Sequence, residues 1–207
     1  MPEEILPQVY ELSLHDDRDI RAYLFDADRP TLVDAGLPDT ADRLLAELEA
    51  APVGPPERVV VTHADPDHVG GVRRLAEAHD PTVHLPEQSS VEHLDDAAVV
   101  RYGDGDSVGP FRAVHVPGHQ PDNHALVDAD AGIVVAGDAV CGADQRGLPA
   151  GYPILPPARF SEDLVAAEEN LVRLLDLDVE FDALLVFHGS NVLSEARDRL
   201  DAFVNFA

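Results

Sequence analysis

The spacing of apolar residues predicts alternating strands and helices in the first half of the chain. Strands are predicted over 9–14, 21–25 and 31–36, and apolar residues at helical spacing follow in PDTADRLLAELEAA, with Asp39 or Thr40 as the helix cap. The β-branched run ERVVVTH is typical of a strand buried on both faces. HVGGVRRLAEAH then predicts a helix and TVHL a strand, and this alternation favours an α/β layer architecture.

The second half of the chain has more strands. FRAVHVPG, HALVDAD and GIVVAGD predict strands separated by turn residues, and the Gly- and Pro-rich CGADQRGLPAGYPILPPARF predicts a long ordered loop. SEDLVAAEENLVRLLDL predicts a helix that opens on a capping pattern at Ser161. DALLVFHG predicts a last buried strand, and LSEARDRLDAFV a closing helix. With 45% hydrophobic residues and no visible repeat, one domain over 1–207 is the simplest organisation.

Polar residues end five of the apolar runs, and this is the pattern that indicates chemistry. They are Asp34, His63, His119, Asp138 and His188. Strand ends are where loops gather and where α/β proteins place their functional groups. One such residue is ordinarily a satisfied polar group at a strand edge. Five of them, together with the turn HADPDH, indicate a metal site instead.

The turn HADPDH concentrates groups that bind metal ions. It supplies His63, Asp65, Asp67 and His68. Imidazole nitrogen and carboxylate oxygen are ligands of zinc and similar divalent ions, at distances of about 2 Å. Such a turn can direct its first His and Asp at one ion and its second Asp and His at another, with Asp138 as the candidate bridge. Gly70 and Gly71 would let the backbone and the next helix pack closely behind the turn.

This ordered set resembles the metallo-β-lactamase superfamily across nearly the full chain. The motifs of that family come in a set order: an Asp after an early strand, a His-rich turn, a lone His, a lone Asp and a final His. The matching residues are Asp34, THADPDHVGG, His119 of PGH, Asp138 of AGD and His188 of FHG. The resemblance implies an α/β fold, a four-layer αβ/βα sandwich, with two metal ions in the cleft between the sheets.

The resemblance also implies a role for each residue. The ligands of the first ion would be His63, Asp65 and His119. Those of the second ion would be Asp67, His68 and His188, and Asp138 would bridge the two. Asp34 would support the ligand turn from behind. Asp67 is the candidate catalytic residue, and the cofactor is expected to be one or two zinc ions.

Two departures from the family pattern affect which metal and which substrate contacts we expect. Asp65 stands where the family usually has His, and a carboxylate there favours manganese or iron over zinc, or leaves only one ion bound. After PGH the family often has Thr-Pro-Gly-His or Thr-Pro-Gly-Ser, whereas this chain has QPDNH. Asn123 or His124 is therefore a candidate substrate contact, with an ordinary loop residue as the alternative. Tyr152 is a candidate for the wall of the substrate pocket.

Charge and composition limit which binding partners and which cellular location we expect. The net charge is −26, from 40 acidic and 14 basic residues, and every basic residue is Arg. The acids are spread along the chain, so we expect a hydrated acidic surface suited to high salt, a composition that resembles proteins of salt-loving archaea. Nucleic acid is a poor partner for such a surface. The single Cys141, and the lack of a bilayer-length apolar run or signal-peptide pattern, lead us to expect a cytoplasmic protein.

The resemblance and the length together predict the activity. Only nineteen residues follow His188, so we expect no helical substrate domain of the glyoxalase II kind. What remains is a metal-dependent hydrolase of a small ester, thioester, lactone or phosphoester, with a small molecule as its partner. One alternative is an iron-dependent oxidoreductase of the persulfide dioxygenase type. A second alternative is a metal-binding protein without catalytic activity.

Overall fold

A seven-stranded sheet forms the frame of the first of two compact units, Met1–Tyr102. Its strands, in their order across the sheet, are β1 (Glu3–Leu6), β2 (Val9–His15), β3 (Ile20–Phe25), β4 (Thr31–Val33), β5 (Arg58–Val60), β6 (Thr82–Pro86) and β7 (Val99–Tyr102). Pairing is antiparallel from β1 to β4 and parallel from β4 to β7. The carboxyl ends of β4 and β5 therefore lie side by side, where function is expected in a parallel sheet.

The sheet is accompanied by α1 (Ala41–Ala50), α2 (Pro66–Val69) and α3 (Val72–His79). Leu44 of α1 and Leu75 of α3 are buried in one apolar cluster with Leu32, Val59 and Val83 of the sheet. Leu32 pairs with Val59 and Val59 with Val83 across the sheet, and paired residues point to the same side, so all three face the helices. Burial of such side chains stabilises the fold by about 1.5–3 kcal/mol each.

The second unit, Gly103–Ala207, contains a five-stranded sheet and a small two-stranded one. The larger sheet has the order β14 (Ala183–Leu185), β11 (Ile133–Val135), β10 (His124–Asp128), β9 (Phe111–His115) and β8 (Ser107–Val108). The smaller pairs β12 (Cys141–Gly142) with β13 (Pro153–Ile154). The helices are α4 (Leu164–Asn170), α5 (Val172–Leu175) and α6 (Ala196–Phe206). Only β11 and β14 run parallel within the larger sheet.

The core of the second unit forms between its larger sheet and its helices. Val134 and Leu184, on the parallel pair of strands, are buried with Leu171, Leu174 and Leu200 in one apolar cluster. The helical residues of this group follow the spacing that the sequence shows for SEDLVAAEENLVRLLDL and LSEARDRLDAFV. The side chains at the ends of β11 and β14 therefore project from a packed support.

The structure describes residues 1–91, 94 and 99–206, and over these residues the predicted α/β architecture is confirmed. Within the described part of the chain, no helix has the length and apolar character needed to cross a membrane. Division into two compact units does not test the expectation of one domain over 1–207, which stays a prediction.

Several predicted boundaries were wrong, and local chemistry explains them. The helix predicted over HVGGVRRLAEAH begins earlier, at Pro66, and is broken at Gly70–Gly71. Strands β1, β7 and β8 were not predicted, because they are short and lack strong apolar alternation. The long Gly- and Pro-rich loop contains β12, β13 and a short 3₁₀ turn, so it is ordered as expected.

One of the two predicted helix caps was wrong. Thr40, one of the two residues predicted to cap α1, is its N-cap residue, but its hydroxyl donates to the Leu37 carbonyl at 3.0 Å and makes no capping hydrogen bond. Asp163, not Ser161, caps α4: its carboxylate accepts a hydrogen bond from the Ala166 N–H at 3.0 Å. Ser161 is thereby left to other contacts.

The paired glycines let backbone segments of the first unit meet without side chains between them. A Cβ at Gly70 would lie 2.3 Å from the Pro38 nitrogen, and one at Gly71 would lie 2.3 Å from the Ala35 carbonyl oxygen. Real Cβ atoms do not approach this closely, so only glycine fits either place. The predicted close packing behind the His-rich turn is confirmed.

We expect Gly71→Ala to lower the free energy of unfolding by about 2 kcal/mol, because the added methyl must push the Ala35 backbone away. Gly71 has an ordinary helical φ of −85°, so the loss would measure crowding and not backbone strain. Gly54→Ala is the control, since its Cβ would meet nothing within 4 Å. Urea denaturation of the two variants and the parent compares them. Equal midpoints for both variants would show that the contact with Ala35 yields easily.

Candidate metal centre

The register of the parallel strands brings Asp34 to the start of the His-rich turn. Val33 of β4 pairs with Val60 of β5, and the next N–H along, that of Asp34, donates to the Val60 carbonyl at 3.0 Å. Asp34 has a left-handed φ of 58°, a conformation that Asp tolerates better than most residues. This turn of the backbone directs the carboxylate towards the loop after β5.

The carboxylate of Asp34 accepts three hydrogen bonds in a fully buried position. One oxygen accepts from the Thr62 N–H at 2.7 Å; the other accepts from the Thr62 hydroxyl at 2.7 Å and contacts His68 Nδ1 at 2.6 Å. The Ala35 N–H also donates to the His68 carbonyl at 2.8 Å. Both ends of the turn are thus tied to the segment that carries Asp34.

These contacts determine which ring nitrogen carries the proton on two histidines. His68 Nδ1 faces a carboxylate that only accepts, so it carries the proton. The Thr62 hydroxyl has one proton, which it gives to Asp34, so its oxygen accepts from His63 Nδ1 at 3.1 Å. On both rings Nε2 therefore carries the lone pair, which is the form that binds a metal.

The His-rich turn gathers four donor side chains, which we name the first donor cluster. It consists of His63, Asp65, Asp67 and His68. His63 Nε2 lies 3.7 Å from a carboxylate oxygen of Asp65. A donor atom of His68 lies within 4.8 Å of one of His63, and likewise within 4.8 Å of one of Asp67. The side chain of Asp65 is 28% exposed, whereas both histidines are buried.

A second donor cluster, consisting of His119, Asp138 and His188, lies in the second unit. Val135 of β11 pairs in parallel with Leu185 of β14, and Asp138 and His188 each follow three residues later. One oxygen of Asp138 lies 3.5 Å from His188 Nε2 and 3.4 Å from His119 Nε2. The shared strand register therefore explains how two of these donors meet.

Asn123 supports this cluster from inside the fold. Its amide oxygen accepts from the Asp138 N–H at 3.0 Å, and its amide nitrogen donates to the Val116 carbonyl at 3.1 Å. The residue is fully buried, so the structure places it behind Asp138, where it joins the loop of His119 to that of Asp138. Its candidate role as a substrate contact stays a prediction.

The other two candidate substrate residues lie in different surroundings. His124 is fully buried, stacks on His115 with ring centroids 4.8 Å apart, and its Nδ1 contacts the Asp122 carbonyl at 2.8 Å. Burial lowers the pKa of His124, against the opposing effect of the Asp122 carbonyl. Tyr152 is 50% exposed, and the Arg199 guanidinium lies 4.8 Å from its ring centre.

Two residues of these surroundings were missed at the sequence level. Thr62 links Asp34 to His63, yet in the sequence it is only a β-branched residue at the end of a strand. Its place directly before His63 was the available signal. Ser161 lies 3.2 Å from His119 Nδ1, but its sequence context pointed to a helix cap. Nothing local in the sequence connects it to His119.

Histidine and aspartate clusters at the strand ends of an α/β fold are groups that could hold a metal ion. Residues 15–181 match the model of the metallo-beta-lactamase superfamily, and the chain belongs to that superfamily. The α/β fold of this type, predicted from the order of the motifs, is confirmed. Members of the superfamily bind divalent metal ions, in agreement with the donor types found here.

Relatives are distant in sequence. The chain is 26% identical over 200 residues to the probable metallo-hydrolase YflN of Bacillus subtilis, covering 76% of this chain and 74% of YflN. It is 30% identical over 154 residues to a hydroxyacylglutathione hydrolase of Erythrobacter litoralis, covering 66% of this chain but only 60% of that protein. The structure of TTHA1623 in a di-iron-bound form is 25% identical, covers both chains fully and has a TM-score of 0.68.

Asp34→Asn should lower the free energy of unfolding by about 2–4 kcal/mol. An amide has only one oxygen and cannot accept all three hydrogen bonds, and its NH₂ group would face donors of Thr62 or His68. Asn tolerates the left-handed φ, so the backbone conformation is kept. Asp39→Asn is the matched control at an exposed position and should change the free energy by less than about 0.5 kcal/mol. Chemical denaturation measures both, and a similar small effect in the two variants would contradict the central role of Asp34.

Proposed function

We propose that the protein is a metal-dependent hydrolase of a small ester, thioester, lactone or phosphoester. Its two donor clusters would together hold one or two divalent ions. The proposed ligands are His63, Asp65, Asp67, His68, His119, Asp138 and His188. The order of these residues along the chain, which matches the superfamily, supports a shared centre, and Asp34 supports its first cluster.

The spacing of the donors is the observation that carries the proposal. Two ligands of one tetrahedral ion, each about 2.1 Å from it, lie about 3.4 Å apart. The His119–Asp138 and His188–Asp138 distances of 3.4 and 3.5 Å agree with this value. They exceed the 2.7–3.2 Å usual for an N–H···O hydrogen bond. The residues present therefore fit a divalent ion.

A divalent ion held by these residues would supply Lewis-acid activation of water, the nucleophile in hydrolysis. The protein orients the ligands and supplies a side chain that can accept the proton released by the attacking water. Asp67 is the proposed catalytic residue: it is half-buried beside His68, so its carboxylate can accept a proton and exchange it with solvent. The buried histidines, with Nδ1 engaged at Thr62 and Asp34, keep their rings oriented.

The substrate class is proposed from the relatives and from charge. A hydroxyacylglutathione hydrolase among the relatives favours an acyl substrate, with thioesters first among those to be tested. The match covers only 60% of that enzyme, so its substrate is not carried over as such. A net charge of −26 disfavours nucleic acid as a partner. A small-molecule substrate and a cytoplasmic location remain part of the proposal.

Zinc is the proposed metal, and iron is a specific second candidate. Asp65 adds a carboxylate to the first donor cluster, and oxygen ligands suit harder ions than zinc. TTHA1623, at 25% identity, has been described in a di-iron-bound form. If iron is the native metal, an oxidoreductase acting on a small persulfide becomes the alternative function. Oxygen consumption with a persulfide substrate separates it from hydrolysis.

We expect the full chain, purified without added metal, to contain one or two equivalents of a divalent ion and to hydrolyse a member of a thioester, lactone, ester and phosphoester panel. Asp138→Ala should lose at least one equivalent and most activity, because it removes the carboxylate next to His119 and His188. Elemental analysis and the substrate panel provide the two measurements.

Asp130→Ala, the same change at an exposed site, should retain metal and activity. Equal metal content in the two variants would refute the proposed ligand role of Asp138. The oxidoreductase would be favoured instead if Asp138→Ala loses metal while the parent hydrolyses no member of the panel and consumes oxygen with a persulfide.

The acidic composition supports a protein adapted to molar salt, as in salt-loving archaea. We expect the unfolding midpoint to rise as KCl increases from about 0.1 M to about 3 M, because screening reduces repulsion among the acidic groups. A variant with Asp17→Asn, Glu49→Gln and Glu169→Gln, all at exposed positions, should gain less from salt. Thermal unfolding followed by circular dichroism measures both slopes. A midpoint that is flat or falls with KCl would contradict adaptation to high salt.

A further inference from the structure

Ser161 lies between a carbonyl group and a ring nitrogen of a proposed metal ligand. Its hydroxyl donates to the Pro157 carbonyl at 3.1 Å and lies 3.2 Å from His119 Nδ1. All three residues belong to the second unit, and Ser161 is only partly exposed. Ser161 is therefore not the cap of α4 but a contact of the second donor cluster.

The single proton of this hydroxyl decides the state of the ring. A carbonyl oxygen only accepts, so both contacts of Ser161 are hydrogen bonds only when its proton goes to Pro157. The hydroxyl oxygen is then the acceptor in the contact with His119, and Nδ1 of that ring must carry the proton. Nε2 consequently carries the lone pair on the side that lies 3.4 Å from Asp138.

The segment that carries Ser161 is held firmly against the loop of His119. The Glu162 N–H donates to the His119 carbonyl at 2.9 Å, and the Asp163 N–H donates to the Gly118 carbonyl at 2.9 Å. A Cβ at Gly118 would lie 2.1 Å from the Ala167 nitrogen, so α4 packs directly on this loop. Ser161 therefore occupies a defined position and does not need to be ordered by a ligand.

We propose that Ser161 is a positioning residue that fixes the tautomer and orientation of His119 for metal binding. This inference rests on the proposed function, because the orientation of His119 matters for metal binding only if His119 is a ligand. Ser161 does for His119 what Thr62 does for His63: in both pairs a hydroxyl gives its proton to an oxygen and accepts one from Nδ1. The difference is that Thr62 donates to a carboxylate, whereas Ser161 donates to a neutral carbonyl.

The test uses the full chain with Ser161→Ala, Ser161→Thr and the control Ser107→Ala, which makes the same deletion at an exposed position of the same unit. Zinc affinity is measured by competition with a chromogenic chelator. The tautomer of His119 is read from imidazole nitrogen NMR of the chelator-treated chain. We expect Ser161→Ala to weaken zinc binding by about 10–100-fold and to lose the Nδ1-protonated form, with Ser161→Thr restoring both.

The possible results separate this inference from the proposed function. A parent chain with the Nε2-protonated form, or a Ser161→Ala variant with unchanged tautomer or unchanged zinc affinity, would overturn the role of Ser161. If the parent binds no zinc, the proposal of zinc as the metal and the purpose given to Ser161 both fail, whereas hydrolysis with another divalent ion would keep the proposed function. Weakened binding in Ser107→Ala of the same size would show a general loss of stability and would also overturn the inference.

Discussion

The hydrogen bonds of the buried Asp34 carboxylate are the interaction on which the first donor cluster depends. The carboxylate is fully buried and takes one N–H, one O–H and one ring nitrogen from the turn that begins at Thr62. A buried anion is costly unless such donors surround it. The turn therefore cannot move away from Asp34 without exposing the carboxylate or leaving it unsatisfied. That cost keeps His63 and His68 in place whether or not an ion is bound.

The two donor clusters are supported in different ways. The histidines of the first cluster are linked to a carboxylate, directly for His68 and through Thr62 for His63. In the second cluster, Ser161 and Asn123 provide neutral support, with backbone groups as their other partners. A carboxylate behind an imidazole increases the basicity of the ring more than a hydroxyl does. The histidines of the first cluster are thus oriented with the help of a buried charge, whereas those of the second cluster are not.

Close backbone approach supplies the rigidity that these hydrogen bonds need. Glycine at 70 and 71 lets the turn pack on the segment after β4, and glycine at 118 lets the His119 loop pack on α4. In each place a side chain would separate a ligand loop from the element that supports it. The acidic surface is compatible with this arrangement, because the structural carboxylate Asp34 is buried and its contacts are little affected by salt.

The sequence by itself determined the strand ends that carry polar residues, the order of these residues and the class of fold. Apolar periodicity and the HADPDH turn are local patterns, and they led directly to Asp34, His63, His119, Asp138 and His188. The family resemblance implied that Asp34 supports the turn, but only the tertiary structure showed which groups it contacts and that Thr62 and Ser161 also contact the histidines. Asp34 and Thr62 are 28 residues apart, and His119 and Ser161 are 42 apart. Hydrogen bonds over such separations are set by strand register and helix packing, and no local pattern encodes them. For this reason the sequence indicated a helix cap at Ser161 and did not reveal its contact with His119.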